Sequence, residues 1–197
     1  MSQRSRRASW GVAAIVVVLA TGGCSGGSRG EAVSTPAPSP SATPTEPAPV
    51  TTRLAWGELA GGLPQATRQA LALDVREVVD GWIDAAYIGG DYPRTDFSGS
   101  WPAFTARAQA QARHDGDLMS NRDIGASIDG VEAEVRDVAL DVVSVRERPV
   151  GVTARVALRF STTGDVPQTV RVHGRLFLTR GEQGWQVFGY DVTKDAQ

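Results

Sequence analysis

The chain has 197 residues, with 20 basic and 22 acidic side chains, two histidines and a single cysteine. One cysteine excludes an internal disulfide, and together with two histidines far apart in sequence it provides no recognisable metal-binding set. The nearly balanced charge disfavours binding to duplex nucleic acid, which normally requires a basic surface. Length and composition instead fit one folded domain preceded by segments of a different character.

The N-terminal 23 residues have the three-part layout of a secretory signal. Arg4, Arg6 and Arg7 precede an apolar stretch at 11–20, and small residues follow in front of Cys24. A helix of ten residues is only about 15 Å long, half of a bilayer's hydrocarbon core, so a permanent membrane span is the poorer interpretation. The arginines fit either a general secretory or a twin-arginine export route.

The segment LATGGC resembles a bacterial lipobox, although Thr21 stands where leucine is usual. The resemblance implies that a lipoprotein signal peptidase cleaves before Cys24 and that this thiol carries a diacylglycerol with palmitate-type chains. Two acyl chains anchor a protein stably, so the expected location is the extracytoplasmic face of the cell membrane. An ordinary signal peptide with an incidental cysteine is the alternative.

Residues 24–52 have the composition of a disordered tether. After Cys24, residues 25–52 hold six of the chain's eleven prolines among Ser, Thr, Ala and Gly, without apolar periodicity. Such a segment buries too little apolar surface to offset the entropy of ordering. In an extended form, at about 3.1 Å per residue, it reaches roughly 80 Å. We therefore expect one folded domain, residues 53–197, at the end of a long tether.

The first part of the domain has helical periodicity. Apolar residues recur at steps of three and four between 71 and 86, which predicts a helix from Pro64 to the glycines at 89–90. A second helix is expected over 101–115, with Ser98 or Ser100 as its cap. Both helices have one apolar face with which to pack against a core.

From residue 128 onward the apolar period changes to two. The clearest strand covers 150–160, and further strands are expected over 170–178 and 185–192, separated by glycine-containing turns. The run 131–145 changes phase midway, which predicts a bulge in a long strand. Helices followed by consecutive strands predict an α+β fold, in which N-terminal helices pack on one face of a curved antiparallel sheet.

This order of elements resembles the nuclear transport factor two-like, or SnoaL-like, fold, a cone-shaped cystatin-like domain. The features that carry the resemblance are WIDAAYIGGDY at the end of the long helix, FSGSWPAF before the short one, the strand that changes phase and the closing GWQVFGYDV. The resemblance covers about residues 65–193. It implies helices that fill the mouth of a bent sheet, and Mce-associated envelope proteins are the subgroup that the chain most resembles.

Enzymes of that fold use an acidic residue or a histidine inside the cone, and this sequence offers few candidates. Asp80 and Asp84 lie away from the apolar stripe of the first helix, so we expect both to be solvated. His114 is near a helix end and His173 on the polar face of a strand, which leaves no catalytic or metal-binding constellation. No cofactor motif is present. A noncatalytic protein is therefore favoured, and enzymatic activity stays uncertain.

Five cationic side chains are expected on the polar face of two adjacent strands, namely Arg155, Arg159, Arg171, His173 and Arg175. Like charges in cross-strand contact are unfavourable unless an anion lies between them. Acidic residues of the preceding strand can supply interstrand ion pairs. A homodimer or partner surface and a bound anionic ligand are the alternatives.

Three functions remain, in decreasing order of support. The first is a noncatalytic domain that docks on another envelope protein or forms a homodimer, with membrane attachment through Cys24 and no nucleic-acid partner. The second is a cone that binds an apolar small molecule or a lipid, with Trp82, Trp101, Phe104 and Tyr190 as its lining. The third is a cofactor-free isomerase or cyclase.

Overall fold

The computed structural model describes residues 49–197, so the predicted signal peptide, Cys24 and the tether up to residue 48 lie outside the described residues. The elements in chain order are β1 (Arg53–Ala60), α1 (Gln65–Ile83), a π-helical turn (Asp84–Ile88), α2 (Ala106–His114), α3 (Gly116–Met119), β2 (Ile128–Val145), β3 (Arg148–Gly164), β4 (Thr169–Gly181) and β5 (Gly184–Ala196). Within this part of the chain, no helix combines the length and apolarity needed to cross a bilayer. The fold class is α+β, as expected.

The sheet has five strands in the order β1-β2-β3-β4-β5. Strands β2 to β5 form an antiparallel meander, as the alternating pattern predicts, but β1 pairs with β2 in parallel. The expectation of a wholly antiparallel sheet is therefore wrong. Parallel neighbours require a crossover connection, and the helices between β1 and β2 supply it.

One face of the sheet forms the core together with the helices. The apolar stripe of α1 is buried as its periodicity predicts, and Val75, Val79, Trp82 and Ile83 are fully enclosed. The core-facing positions of the sheet are mainly valine and leucine and alternate with outward polar side chains along β3. Because full burial of one such side chain contributes about 1.5–3 kcal/mol, this face holds the fold together.

The predicted bulge in the long strand is confirmed. Strand β2 pairs with β3 along nearly its whole length, with irregularities between Ala133 and Val135 and between Val143 and Ser144. An extra residue in one strand bends it and increases its local twist. These irregularities account for the change of phase in the sequence.

The predicted start of the second helix is wrong. Helix α2 begins only after Thr105, whose side-chain oxygen accepts a hydrogen bond from the Ala108 amide at 3.4 Å. Trp101 and Phe104 therefore precede the helix, and Phe104 forms a parallel bridge with Val187 on β5. A turn at Pro102 and Ala103 is followed by backbone pairing with β5, and Thr105 is the residue that caps the helix.

The end of α1 is stabilised by side chains from the following loop. The Ala85 carbonyl accepts a hydrogen bond from Arg94 Nη2 at 2.7 Å. The Tyr87 carbonyl accepts from the Tyr92 hydroxyl at 2.8 Å and from Asn121 Nδ2 at 2.9 Å. Carbonyls at a helix end lack intrahelical partners, so these donors satisfy groups that burial would otherwise leave unpaired.

Asp80 and Asp84 are ion-paired, which corrects the expectation that both are simply solvated. Arg136, on the core-facing side of β2, donates to Asp80 at 3.0 Å and to Asp84 at 2.8 Å. Its Nε donates to the Thr52 hydroxyl at 3.1 Å, and that hydroxyl donates in turn to Asp80. A 100° helix count places the two aspartates away from the core stripe, but it cannot show that an arginine of a distant strand reaches them. The network joins β2, α1 and the chain just before β1.

Candidate interaction surface

The face of the sheet turned away from the helices brings the five predicted cations together. In the register of β3 and β4, Arg155 lies opposite Arg175 and Arg159 opposite Arg171, while His173 lies opposite Ala157. The predicted side-by-side placement is therefore correct. Pairs of like charge in direct cross-strand contact are unfavourable, so neighbouring groups must compensate them.

Acidic residues of β2 supply part of this compensation. Arg155 forms an ion pair with Asp141 at 3.0 Å, and Arg159 forms one with Glu134 at 2.7 Å. The predicted interstrand ion pairing is confirmed for these two arginines. Because the four side chains are substantially exposed, each pair is expected to contribute less than about 1 kcal/mol.

Acidic residues of β5 flank the cations on the other side. Asp191 lies opposite Arg175 and Asp195 opposite Arg171 in the register of β4 and β5. His173 Nδ1 is 3.9 Å from Asp195 Oδ2. The outer face thus carries two central basic columns between two acidic ones, a balanced arrangement that attracts anionic ligands less than an isolated basic patch does.

An apolar patch occupies one end of the same face and is a feature that the sequence analysis missed. Its members are the outward-facing side chains of Val143, Val145, Phe177 and Phe188, which lie near the β2–β3 hairpin end. Three of them, all except Phe177, are between 52% and 54% exposed. The Phe177 and Phe188 rings lie 6.3 Å apart. Valine and phenylalanine at outward positions of these strands were the available signal.

Two shallow clefts connect the apolar patch to the charged columns. A cleft of about 230 Å³ is lined by Val143, Phe177 and Phe188 together with Glu58. A neighbouring cleft of about 410 Å³ is lined by Phe177, Arg155, Arg175 and Glu58 among others. An exposed apolar surface with a charged rim is typical of a protein-docking site.

Of the four predicted pocket-lining residues, three lie in the packed core. Trp82, Trp101 and Phe104 are each at most 4% exposed. The Trp82 ring is 6.4 Å from that of Phe104, and both tryptophan indoles donate to the Met119 carbonyl, at 3.2 and 3.3 Å. Ring contacts of this kind are those of a filled interior.

The fourth, Tyr190, lies beside a surface cleft of about 370 Å³ that Gln111, Asp115 and Phe188 also line. Its hydroxyl donates to Asp115 at 2.8 Å, and the same carboxylate accepts from Gln111 Nε2 and contacts His114 Nδ1, both at 2.8 Å. Hydrogen bonds from His114, then from Gln111 and Tyr190, lower the pKa of Asp115 to about 2. Burial, followed by the Asp115 hydrogen bond, raises the pKa of Tyr190. The carboxylate serves as a link between α2 and β5.

We expect His114→Ala to weaken the acid dependence of stability, because His114 is the largest cause of the lowered Asp115 pKa. A carboxyl with a lowered folded-state pKa stabilises the fold above its unfolded pKa of about 3.9, and this contribution is lost as the pH falls through the folded value. Urea midpoints measured at about pH 5 and about pH 2 should therefore differ less in the variant than in the wild type. His173→Ala, at the other histidine, should retain the wild-type difference. Equal acid dependence in His114→Ala and wild type would contradict the assignment.

Among residues 49–197, no group of three or more His, Cys, Asp or Glu side chains is arranged to hold a metal ion. Cys24, the predicted lipidation site, lies outside this part of the chain. No protein-family model, curated protein or solved structure matches the chain in the comparisons made.

Proposed function

We propose that this protein is a bacterial lipoprotein of the cell envelope, anchored through Cys24 on the extracytoplasmic side of the membrane, whose domain docks noncatalytically on another envelope protein. The observation that supports docking most is the apolar patch on the outer face of the sheet. The sequence supports the location through its three-part signal, the lipobox-like LATGGC and the tether.

We also propose that the domain is a nuclear transport factor two-like cone, related to Mce-associated envelope proteins. The long helix α1 packs on the core-facing side of the sheet and contacts β3 and β5. Strand β2 has 18 residues and bulges, as a strongly bent sheet requires. The parallel strand β1 is additional to the elements on which the resemblance was based.

Docking is preferred to ligand binding because of where apolar side chains are exposed. The aromatic rings that would line a cone are packed against one another, whereas Val143, Val145 and Phe188 are half exposed to solvent. Aromatic side chains at the centre of an interface commonly dominate its binding energy. We therefore expect Phe188, with its neighbour Phe177, to anchor the partner.

A photo-crosslinking residue in place of Val143 tests the docking surface in intact cells. We expect one discrete adduct with an envelope protein, identified by mass spectrometry. Phe188→Glu should reduce its yield by about tenfold or more, because buried aromatic anchors contribute about 2 kcal/mol or more to binding. The control is Leu73→Glu on α1, where an apolar side chain is also exposed, at 67%, but away from the patch. Equal yields in the two variants, or no adduct, would contradict the proposal.

Lipid attachment is tested separately by metabolic labelling with an alkyne analogue of palmitate. The wild-type chain should be labelled and should begin at Cys24 after processing. In Cys24→Ala the label should disappear, and the chain should either stay uncleaved or leave the membrane, because two acyl chains supply the stable anchor. An unlabelled wild-type chain with a different N-terminus would overturn the lipoprotein assignment.

A further inference from the structure

Strand β1 is an edge strand with few of the usual protections. It pairs with β2 on one side, and no other strand within residues 49–197 pairs with its far side. Its sequence, RLAWGELA, contains no proline or lysine and only two charged residues, Arg53 and Glu58. Edge strands usually carry charges, prolines or covering loops that prevent pairing with another chain. Apart from these two charges and an irregularity between Trp56 and Leu59, the eight-residue edge lacks such protection, so it is a surface on which a strand can add.

The irregular pairing of β1 with β2 determines which side chains share a face. On the outer face, Arg53 lies beside Asp137 and Ala55 beside Ala139. On the core-facing side, Leu54 lies beside Val138 and Trp56 beside Leu140.

The register shifts between Trp56 and Leu59, and Leu59 then lies beside the core residue Val142. Glu58 consequently returns to the outer face, where it lines a cleft with Phe177 and Arg155. Along β1 the two charged side chains thus project from the same face, at opposite ends of the strand.

We propose that β1 pairs antiparallel with β1 of a second copy of this chain, about a two-fold axis at Ala55. In this register Ala55 lies opposite Ala55 of the second copy. Gly57 and Glu58 share the one position between Trp56 and Leu59 at the irregularity, so Arg53 lies opposite this pair in the second copy, next to Glu58. On the other face Leu54 lies opposite Trp56 of the second copy. Every pair joins residues of the same face, as antiparallel pairing requires. The two five-stranded sheets become one continuous sheet.

Three observations favour a second copy as the occupant. The charges are self-complementary, because the two-fold axis places Arg53 of each copy beside Glu58 of the other. Trp56 is 41% exposed, unusually high for tryptophan, and Leu54 is only half-buried, so the pairing covers apolar surface on both chains. The Arg53 side chain is 76% exposed, and although it pairs with Asp137 at 2.8 Å it can reach a second carboxylate. The pairing uses the backbone edge of β1, whereas docking uses Phe177 and Phe188, so the inference does not depend on the proposed docking function, although Glu58 lines clefts beside the patch.

Disulfide crosslinking tests the register. The full chain with Cys24→Ser contains no other cysteine, so an introduced thiol is the only one. Ala55→Cys places the two thiols opposite each other, and oxidation should give a covalent dimer. The matched control is Ala60→Cys, on the same strand and also exposed, because in the proposed register its two copies lie about 27 Å apart. A dimer from Ala55→Cys at least tenfold more abundant than from Ala60→Cys supports the proposal, and equal or reversed yields overturn it.

Sedimentation of the same Cys24→Ser chain provides a measurement without crosslinking. Ala55→Lys puts two ammonium groups opposite each other at the axis and should weaken self-association by about tenfold, since like charges in cross-strand contact are destabilising. Ala60→Lys should leave it unchanged. A chain that is monomeric at every concentration, or an equal effect of the two lysines, would overturn the proposal. If β1 does not pair in this way, the proposed docking through Phe188 is unaffected. If Phe188→Glu does not reduce crosslinking, the proposed β1 pairing is likewise unaffected.

Discussion

Trp82→Ala is expected to lower the free energy of unfolding by about 4 kcal/mol, because removal of a fully buried tryptophan typically costs 3–5 kcal/mol. Trp82 is 0% exposed and lies edge-on to Tyr87, with ring centroids 5.5 Å apart. The Met119 carbonyl that accepts its indole N–H also accepts from Trp101, so it keeps a partner in the variant. The expected loss therefore comes from the cavity and from the lost ring contacts. Denaturant unfolding measures it.

The same substitution distinguishes a filled core from a ligand-binding cone. A tryptophan that lines an empty pocket has solvent on one side, and its removal costs little, so a loss below about 1 kcal/mol would contradict a packed interior and revive the ligand-binding alternative. If Trp82→Ala does not fold, Trp82→Phe gives the measurement with a smaller expected loss of about 1–2 kcal/mol. The control, Leu73→Ala at an exposed helix position, should change stability by no more than about 0.5 kcal/mol.

The sequence predicts those elements whose apolar pattern is set by burial on one face. The α1 stripe that contains Val75 and Val79 follows the helical period, and β3 alternates cleanly from Val152 to Phe160. Both patterns arise because one face of each element meets the core and the other meets water. The α+β class followed from these two periods alone.

Strand β1 could not be predicted in the same way. It is exposed along most of its length, so its residues do not alternate between buried and polar positions. Gly57 and the irregular register near it further disrupt the period. Whether such a segment pairs, and in which direction, depends on the distant strand β2, which local pattern does not reveal.

The contacts of inward-pointing cations could not be predicted either, because an alternating apolar and polar pattern assigns charged residues to the surface. Arg136 reaches Asp80 of α1 and Asp84 of the π-helical turn, and Arg94 donates to the Ala85 carbonyl of the same turn. Lys194 Nζ donates to the Asp117 and Ser120 carbonyls, each at 2.9 Å. Burial lowers the pKa of Lys194, while Asp123 opposes that shift. Long side chains bury their stems and place their charge on a partner, and only the fold identifies that partner.

For the outer face, the sequence predicted the cations but missed the apolar patch. Arg155 and Arg171 lie on adjacent strands of similar phase, so their common face follows from alternation. Phe188 occupies an irregular position where β4 and β5 change register, between Phe177 and Leu178 on β4. Beyond Phe188, simple alternation along β5 therefore assigns the following side chains to the wrong face of the sheet.

Arg136→Leu is expected to lower the free energy of unfolding by about 3 kcal/mol, at the low end of the 3–5 kcal/mol cost of breaking a buried ion pair. The Arg136 side chain is 10% exposed, but its partners Asp80 and Asp84 are 26% and 50% exposed, and water can solvate them in part. The variant also removes the donor to Thr52. For a domain of this size the loss corresponds to a fall of roughly 6–12 °C in the melting temperature, measurable by circular dichroism.

The control for Arg136→Leu is Arg159→Ala, which removes an arginine from an ion pair of similar length, 2.7 Å to Glu134, on the exposed outer face. Because exposed pairs contribute only about 0–1 kcal/mol, its effect should be at least threefold smaller. Adding Asp80→Asn to Arg136→Leu should recover part of the loss, since one of the two carboxylates left without the guanidinium is then neutral. If the two arginine substitutions lowered the free energy of unfolding equally, Arg136 would contribute no more to stability than an exposed arginine does. The Thr52–Asp80–Arg136 network would then not be what fixes the chain segment before β1 to the domain.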